Sequence, residues 1–215
     1  MSETTYPPLT TLESAIGPAI KKIKLDGIIL TSMAHQLSLT LHQSDVATSP
    51  SPATVPWISS LQDCQKRTHR IAIYQPLELL VAQCLSFVGF VSGRRATANS
   101  FVGNEIQKID ELMVAELITI PGIFSYSSLE VRPGRWYNLV VFASAETKSH
   151  LKKSQAHSYA ASQLAPHYYE WIRLHNGIMP TGLAQQELFV QSTKYYTFQE
   201  GKQHPDMYEI TYGLQ

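Results

Sequence analysis

The residues best suited to chemistry lie in one segment near the C-terminus of this 215-residue chain. Tyr169, Trp171, Arg173 and His175 occupy every second position there. Strict alternation is typical of a β-strand, and it predicts that these four side chains share one face. A buried arginine needs a carboxylate or an acidic ligand as its partner. The segment therefore predicts a ligand-binding face on which Arg173 and His175 fix the polar end of a ligand.

The alternative for the same arginine is a salt bridge within the fold. Glu170 and Glu187 are the acidic residues close to it in the sequence, and either could serve as the partner. The surrounding stretch 166–198 is rich in aromatic residues, which suits an apolar pocket and a subunit interface equally. Both interpretations remain open at the level of the sequence.

Two histidines lie on the helix that is predicted just before this strand. His150 and His157 are seven residues apart, so they share a face of that helix. Either could serve as a general base near neutral pH or as a haem ligand. The alternative is an ordinary solvated histidine. Metal ligands on one helix normally lie three or four residues apart, so the pair does not predict a metal site.

The composition limits the classes of partner. The chain has 17 basic and 17 acidic residues and an apolar fraction of 44%. This balance gives no reason to expect nucleic acid or an anionic membrane as a partner, and it is compatible with a homodimer. Cys64 and Cys84 lack metal-type spacing. Neither a signal peptide nor a membrane span is visible, so we expect a cytoplasmic protein.

The hydrophobic pattern predicts two halves with the same order of elements. In the second half, Asn104 and Gln107 form a capping-box pair at the start of the clearest helix. Its predicted elements are strand 86–94, helix 105–118, strands 122–130 and 135–143, helix 145–163 and strand 168–175, followed by strands 187–198 and 207–214. Those of the first half are helix 9–24, strands 27–33 and 36–42, helix 57–69 and strand 70–75.

The shared order indicates an internal repeat, with chance as the alternative. We predict an α+β fold built from ferredoxin-like β-α-β-β-α-β halves. The expected domains are a degenerate half at 1–79 and a second half with extra C-terminal strands at 80–215. The two halves would form a barrel within the chain, or a dimer would form it.

The second half resembles the dimeric α+β barrel superfamily, and within it the antibiotic biosynthesis monooxygenase-like group. The matching pieces are Ile-Pro-Gly-Ile-Phe-Ser-Tyr at 120–126, Trp-Tyr-Asn-Leu-Val-Val-Phe-Ala-Ser at 136–144, and His157 on the following helix. The resemblance covers residues 84–176. It implies a cavity inside a barrel, and activities that include cofactor-free oxygenation and haem degradation.

Haem-degrading members of that group use an asparagine, a strand tryptophan and a helix histidine. Trp136 and His157 (or His150) match the last two. The asparagine has no counterpart in 86–94, which argues against haem degradation. Haem binding remains an alternative to a protein without a cofactor.

We therefore expect a small hydrophobic, aromatic molecule to be bound or oxidised in the barrel cavity, in the manner of a cofactor-free monooxygenase. The alternative is a non-catalytic structural or assembly module. The expected catalytic residues are His157 and His150. The expected ligand-binding residues are Arg173, His175, Trp136, Tyr169 and Trp171.

Overall fold

The computed structural model of the chain describes residues 9–43, 55–62, 66–151, 154–202 and 204–212, with the side chains of the first helix described from Lys22 onward. The helices are α1 (Leu9–Gln43), α2 (Pro76–Val81), α3 (Ser100–Leu117), α4 (Lys148–Leu151), α5 (Gln155–Tyr159) and α6 (Ala165–Tyr168), with a π-helical turn at Ala160–Leu164 between the last two. The strands are β1 (Trp57–Gln62), β2 (Thr68–Ile73), β3 (Leu85–Arg94), β4 (Ile123–Arg132), β5 (Arg135–Phe142), β6 (Tyr169–Met179), β7 (Phe189–Thr197) and β8 (Asp206–Thr211).

All eight strands belong to one antiparallel sheet in the order β1-β2-β4-β5-β3-β6-β7-β8. The central four strands, with the helices that connect them, form a β-α-β-β-α-β unit whose strand order is that of a ferredoxin-like fold. The predicted α+β class and the ferredoxin-like second half are therefore confirmed. Among the described residues β1 and β8 are free edges, so the sheet is open and the barrel expected within the chain is not formed.

Each face of the sheet is covered by helices. On one face, which we call the α3 face, Val114 and Leu117 of α3 pack with Tyr126 and Phe142 of the sheet. On the opposite face, the α1 face, the second half of α1 packs across the central strands. The sheet is therefore the middle layer of a three-layer structure, with buried side chains on both sides.

The predicted strands 27–33 and 36–42 are wrong, because both segments belong to α1. Leu37 and Leu41 lie one helical turn apart and are buried, whereas Leu39 between them is 36% exposed. The alternation of Leu37, Leu39 and Leu41 with polar residues is the pattern that predicts strand 36–42. A glycine at 27 costs a helix only about 1 kcal/mol relative to alanine. Burial of the apolar stripe that follows outweighs this cost.

The predicted helix 57–69 is also wrong, because its first part is the edge strand β1. Trp57 and Leu61 are four residues apart, and this spacing puts two side chains on the same face of a helix and of a strand alike. Pairing decides between them: Trp57 lies opposite Ile73, and Leu61 lies opposite His69. The predicted strand 70–75 is confirmed as β2, shifted by two residues.

Two helix boundaries in the second half differ from expectation. Helix α3 begins at Ser100, because the side chain of Asn99 accepts a hydrogen bond of 2.9 Å from the backbone N–H of Val102. The predicted capping box at Asn104 lies inside the helix. The predicted helix 145–163 is divided into α4, α5 and the π-helical turn. Pro166 falls in the first turn of α6, where proline is tolerated.

The first half does not have the element order on which the internal repeat was based, since one helix occupies 9–43 and a hairpin follows it. The division into domains 1–79 and 80–215 stays a prediction. Within the described ranges, each helix is too short or too polar to cross a membrane. The cytoplasmic location stays a prediction as well.

Candidate functional site

Helix α1 places one carboxylate in a buried stripe that is mostly apolar. Its buried residues recur at three- and four-residue spacing, as expected for one face of an amphipathic helix. From Lys22 onward they are Asp26, Leu30, Met33, Ala34, Leu37, Ser38, Thr40 and Leu41. Leu30 lies against Gly89 of β3, where a Cβ atom would come within 2.5 Å of Leu30 Cδ1. The absence of a side chain at position 89 therefore lets α1 approach the sheet closely enough for Asp26 to reach it.

Asp26 is fully buried and is the centre of a polar cluster on the α1 face. Arg173 of β6 donates two hydrogen bonds to it, from Nε to Oδ2 at 2.6 Å and from Nη2 to Oδ1 at 2.9 Å. The hydroxyl of Tyr137 donates to Oδ1 at 2.8 Å, and His175 Nε2 lies 3.1 Å from Oδ2. The bidentate arginine geometry is the strongest form of this pairing. We call these four residues the Asp26 cluster.

Aromatic rings extend the cluster toward a second arginine. The guanidinium carbon of Arg173 lies 4.2 Å from the centroid of the Trp171 ring, and that of Arg135 lies 4.6 Å from it. Arg135 Nη2 is also 3.9 Å from Asp26 Oδ1. Gly93 makes room for the ring, because a Cβ there would lie 2.5 Å from Trp171 Nε1. Two cations and an indole therefore surround a single carboxylate.

The surroundings of Asp26 keep it ionised. Burial by itself raises the pKa of the carboxyl group, but hydrogen bonds from His175 and Arg173 and the charge of Arg173 outweigh it, so the net pKa is lowered. A carboxylate that is buried, ionised and fully paired contributes to stability only while its partners are present.

A chain of hydrogen bonds continues from the cluster toward the surface. His175 Nδ1 lies 2.9 Å from Thr193 Oγ1, and the hydroxyl of Tyr212 donates to the same oxygen at 3.1 Å. Hydroxyl, imidazole and carboxylate are also the components of a nucleophilic triad. Thr193 is fully buried, however, so its hydroxyl cannot reach a substrate. These hydrogen bonds therefore hold β6, β7 and α1 together, and the buried hydroxyl of Thr193 is not accessible for catalysis.

Three of the seven predicted site residues meet in this region. Trp171, Arg173 and His175 lie together on the α1 face, as the alternation in the sequence predicted. The partner of the arginine is Asp26, from the other end of the chain, and not Glu170 or Glu187. The sequence left two interpretations of Arg173 open, and the structure shows the internal salt bridge.

The other four predicted residues lie elsewhere. Register between β3 and β6 shifts at Gly93/Arg94, so that Glu170 is an extra residue in β6. This bulge turns Tyr169 to the α3 face, where it packs with Phe90. Trp136 precedes Tyr137 in β5 and points to the opposite face from it. His150 is exposed in α4, and His157 is half-buried in α5, which packs against α3.

An open groove of about 560 Å³ lies beside Trp136, at the end of the sheet where β2 begins and where β4 turns into β5. Its lining is mainly cationic and apolar: Lys66, Arg67, Thr68, Glu130, Val131, Arg132, Pro133 and Trp136. Trp136 is thus a predicted ligand-binding residue that borders an accessible concave surface away from the Asp26 cluster.

A second concavity, the His69 pocket, lies between α1 and the corner of the sheet formed by β1, β2 and β4. It measures about 160 Å³. Its lining residues are Ser32, Met33, Gln36, Leu61, Gln62, Arg67, His69 and Leu129. His69 is only 7% exposed, and its Nε2 atom is buried without a hydrogen-bond partner. A buried nitrogen without a hydrogen-bond partner costs free energy, and the Nε2 atom has almost no accessible surface of its own.

Burial lowers the pKa of His69 to about 4, so the imidazole is neutral at physiological pH. The unfolded chain protonates this histidine near pH 6.5, whereas the folded protein resists protonation down to about pH 4. We therefore expect folding stability to fall as the pH decreases from 6.5 to 4, by about 3 kcal/mol.

Urea denaturation of the unmodified protein and of His69→Gln at several pH values would measure this effect. The variant should lose most of the slope between pH 6.5 and pH 4, while His167→Gln, an exposed histidine of α6, should keep it. An unchanged slope in His69→Gln would show that His69 titrates normally.

Neither Asp26 nor His69 was identified from the sequence. Asp26 lies between the predicted helix 9–24 and the predicted strand 27–33, but in the structure it occupies the same helical face as Leu30, Met33 and Leu37. A single acidic residue in an apolar stripe is the signal that could have found it. His69 has no comparable signal, because its burial depends on pairing with Leu61 and Leu129 from separate strands.

Among the described residues, no group of three or more His, Cys, Asp and Glu side chains is arranged to hold a metal ion. No protein-family model matches the chain, and no curated protein matches it.

Several solved structures are similar to the chain. SnoaB, a cofactor-independent oxygenase from Streptomyces nogalater, is 13% identical, with a TM-score of 0.34, over 46% of this chain and 92% of its own. A putative monooxygenase from Lactobacillus acidophilus is 16% identical, with a TM-score of 0.37, over 56% of this chain and 57% of its own. A major regulator of staphylococcal pathogenesis is 9% identical, with a TM-score of 0.35, over 59% of this chain and 66% of its own. These likenesses concern the fold alone.

Proposed function

We propose that this chain binds a small, mostly apolar molecule in the His69 pocket, between α1 and the sheet. The observation that carries the proposal is the concavity of about 160 Å³ in whose wall the buried ring of His69 lies. Met33, Leu61 and Leu129 supply apolar contacts around it. The other lining residues are polar. A concave site that combines apolar contacts with polar groups is the usual form of a small-molecule site.

The position of α1 favours this pocket over the wider face of the sheet. Leu30, Met33, Leu37 and Leu41 of α1 are each at most 1% exposed. Exposing side chains of this kind costs about 1.5–3 kcal/mol each, or roughly 6–12 kcal/mol for the four. This is comparable to the whole stability of a typical domain, about 5–15 kcal/mol. A ligand therefore fits beside α1 rather than in its place.

The predicted ligand residues Arg173, His175 and Trp171 then act indirectly in this proposal. Arg173 and His175 pair with Asp26, Trp171 packs against Arg173, and this pairing fixes where α1 crosses the sheet. Met33 and Gln36 lie two and three turns further along α1, and both line the pocket. Oxidation of the bound molecule would be a second, separable activity. Oxygen consumption with any ligand that binds would test it, and the expected bases His157 and His150 would be replaced in turn.

Ligand-observed NMR with a panel of small ring compounds tests the binding site. His69→Phe should abolish the saturation-transfer signal of every bound compound, because the larger ring fills the pocket. His167→Phe, the same substitution at an exposed position, should leave the signals unchanged. If His69→Phe folds normally and the signals persist, the compounds bind elsewhere and the proposed site is wrong.

The second candidate function is a non-catalytic module, and the Asp26 cluster favours it. Arg173, the cation that the sequence offers to a ligand, is neutralised from within the chain by Asp26 of α1. A module of this kind would bind none of the panel compounds in the unmodified protein.

A further inference from the structure

We propose that two copies of this chain associate through strand β1, so that their sheets join edge to edge about a two-fold axis at Ser59. Helices cover both faces of the sheet, whereas β1 and β8 are free edges among the described residues. A free edge presents unpaired backbone N–H and C=O groups with which another strand can pair. This association needs no ligand, so it is independent of the function proposed above.

Strand β1 lacks the features by which proteins protect a free edge. Its sequence, Trp-Ile-Ser-Ser-Leu-Gln, contains neither a charged residue nor a proline. It pairs with β2 in unbroken register, from Trp57 opposite Ile73 to Gln62 opposite Thr68. Ile58 is 52% exposed. A regular, uncharged edge with an exposed β-branched side chain is the type that pairs with a further strand.

The side chains of β1 indicate that the further strand is β1 of a second copy. Trp57 and Leu61 lie two positions on either side of Ser59, and both pack, partly buried, against the core on the α1 face. In antiparallel pairing about Ser59, Trp57 of each copy lies opposite Leu61 of the other, and Ile58 lies opposite Ser60. An axis at Ser60 would instead place Leu61 opposite Ser59. The strand is therefore self-complementary about Ser59, as a two-fold interface requires.

The other free edge, β8, opposes the same kind of pairing. It carries two acidic residues, Asp206 and Glu209, in six positions. A two-fold axis at Tyr208 would place Glu209 opposite Met207 and Asp206 opposite Ile210. An axis at Glu209 would place two carboxylates face to face, which is destabilising. Charged side chains of this kind protect an edge from pairing, so β1 is the edge that a second copy uses.

The length of β1 sets the strength of the association. Six residues in a strand span about 20 Å, and a contact of this length is smaller than the roughly 800 Å² per partner of a standard interface. We therefore expect a reversible dimer that dissociates on dilution. Sedimentation velocity across the micromolar range should show the mass rise from that of one chain toward that of two. A single chain at every concentration would overturn the inference.

Two charge variants test the position of the axis. In Ser59→Lys and in Ser59→Glu, two like charges would meet at the axis, so each variant alone should raise the dissociation constant about tenfold or more. A mixture of the two variants should associate about as tightly as the unmodified protein, because the charges at the axis are then opposite. Since a variant that does not fold cannot be rescued in this way, failure of the mixture to associate would overturn the axis at Ser59.

Met207→Lys is the matched control, because Met207 is 56% exposed on the β8 edge. This variant should keep the dissociation constant of the unmodified protein. In the unmodified protein, amide hydrogen exchange in β1 should slow as the concentration rises, while exchange in β8 stays constant. If Met207→Lys abolishes association and the Ser59 variants keep it, the copies pair through β8 and the inference is wrong.

Discussion

Replacing Asp26 with asparagine is expected to lower the free energy of unfolding by about 3–5 kcal/mol, because the change leaves Arg173 buried without its counter-charge. Both oxygens of Asp26 accept hydrogen bonds, and asparagine can accept at only one position. Urea denaturation followed by circular dichroism would measure the loss. The substitution replaces one carboxylate oxygen with an amide nitrogen and leaves the size of the side chain almost unchanged.

Asp206→Asn is the matched control, since Asp206 pairs with Lys202 on the surface. Surface pairs contribute about 0–1 kcal/mol, so this variant should be nearly as stable as the unmodified protein.

The pH dependence of the stability is a further check. Because the pKa of Asp26 is lowered in the folded state, its contribution is complete above the unfolded value near pH 3.8 and is lost as the pH falls through the folded value. Asp26→Asn should lack this acid-dependent part, and equal stability of the two proteins at neutral pH would contradict a structural role for the cluster.

The second large effect is expected at Leu30, where α1 touches the centre of the sheet. Leu30→Ala removes a fully buried side chain above Gly89 and should cost about 2–5 kcal/mol. Gly89→Ala should be destabilising alone, because its Cβ would lie 2.5 Å from Leu30 Cδ1. The two changes together should cost less than their sum, since the new methyl group at position 89 occupies part of the space that Leu30 leaves.

A double-mutant cycle in urea would measure this coupling. Leu25→Ala is the control on the same helix, because Leu25 is 52% exposed and its truncation should have little effect. Additive costs for Leu30→Ala and Gly89→Ala would mean that the two residues are not in contact, and the docking of α1 on the sheet would then be wrong.

The second half of the fold could be predicted because its signals are local. Pro133-Gly134 predicts the turn between β4 and β5, and Gly134 has a φ of +76° there. Alternation over 169–175 predicts β6. The first half could not be predicted in this way. Leu37, Leu39 and Leu41 alternate with polar residues as in a strand. Only the packing of Leu37 and Leu41 in the core shows that the segment is a helix.

The candidate site shows the same division. The sequence identified Arg173 and His175 and the need for an acidic partner, but the partner is 147 residues away from Arg173. A β-bulge at Glu170 reversed the direction of Tyr169, and a single sequence does not reveal a bulge of this kind. His69 acquires its character from three strands and a helix, so residue type and spacing could not indicate it.

The pairing of α1 with β6 has a consequence for the order of folding. Helix α1 is made early in synthesis, but Asp26 and Leu30 find their partners only after the strands of the ferredoxin-like unit have paired. Until then the apolar side chains and the carboxylate of this segment lack their native partners. Contacts of such long sequence separation slow folding and prolong exposure of apolar surface. We therefore expect the apolar stripe of α1 to be the surface that stays uncovered longest during folding.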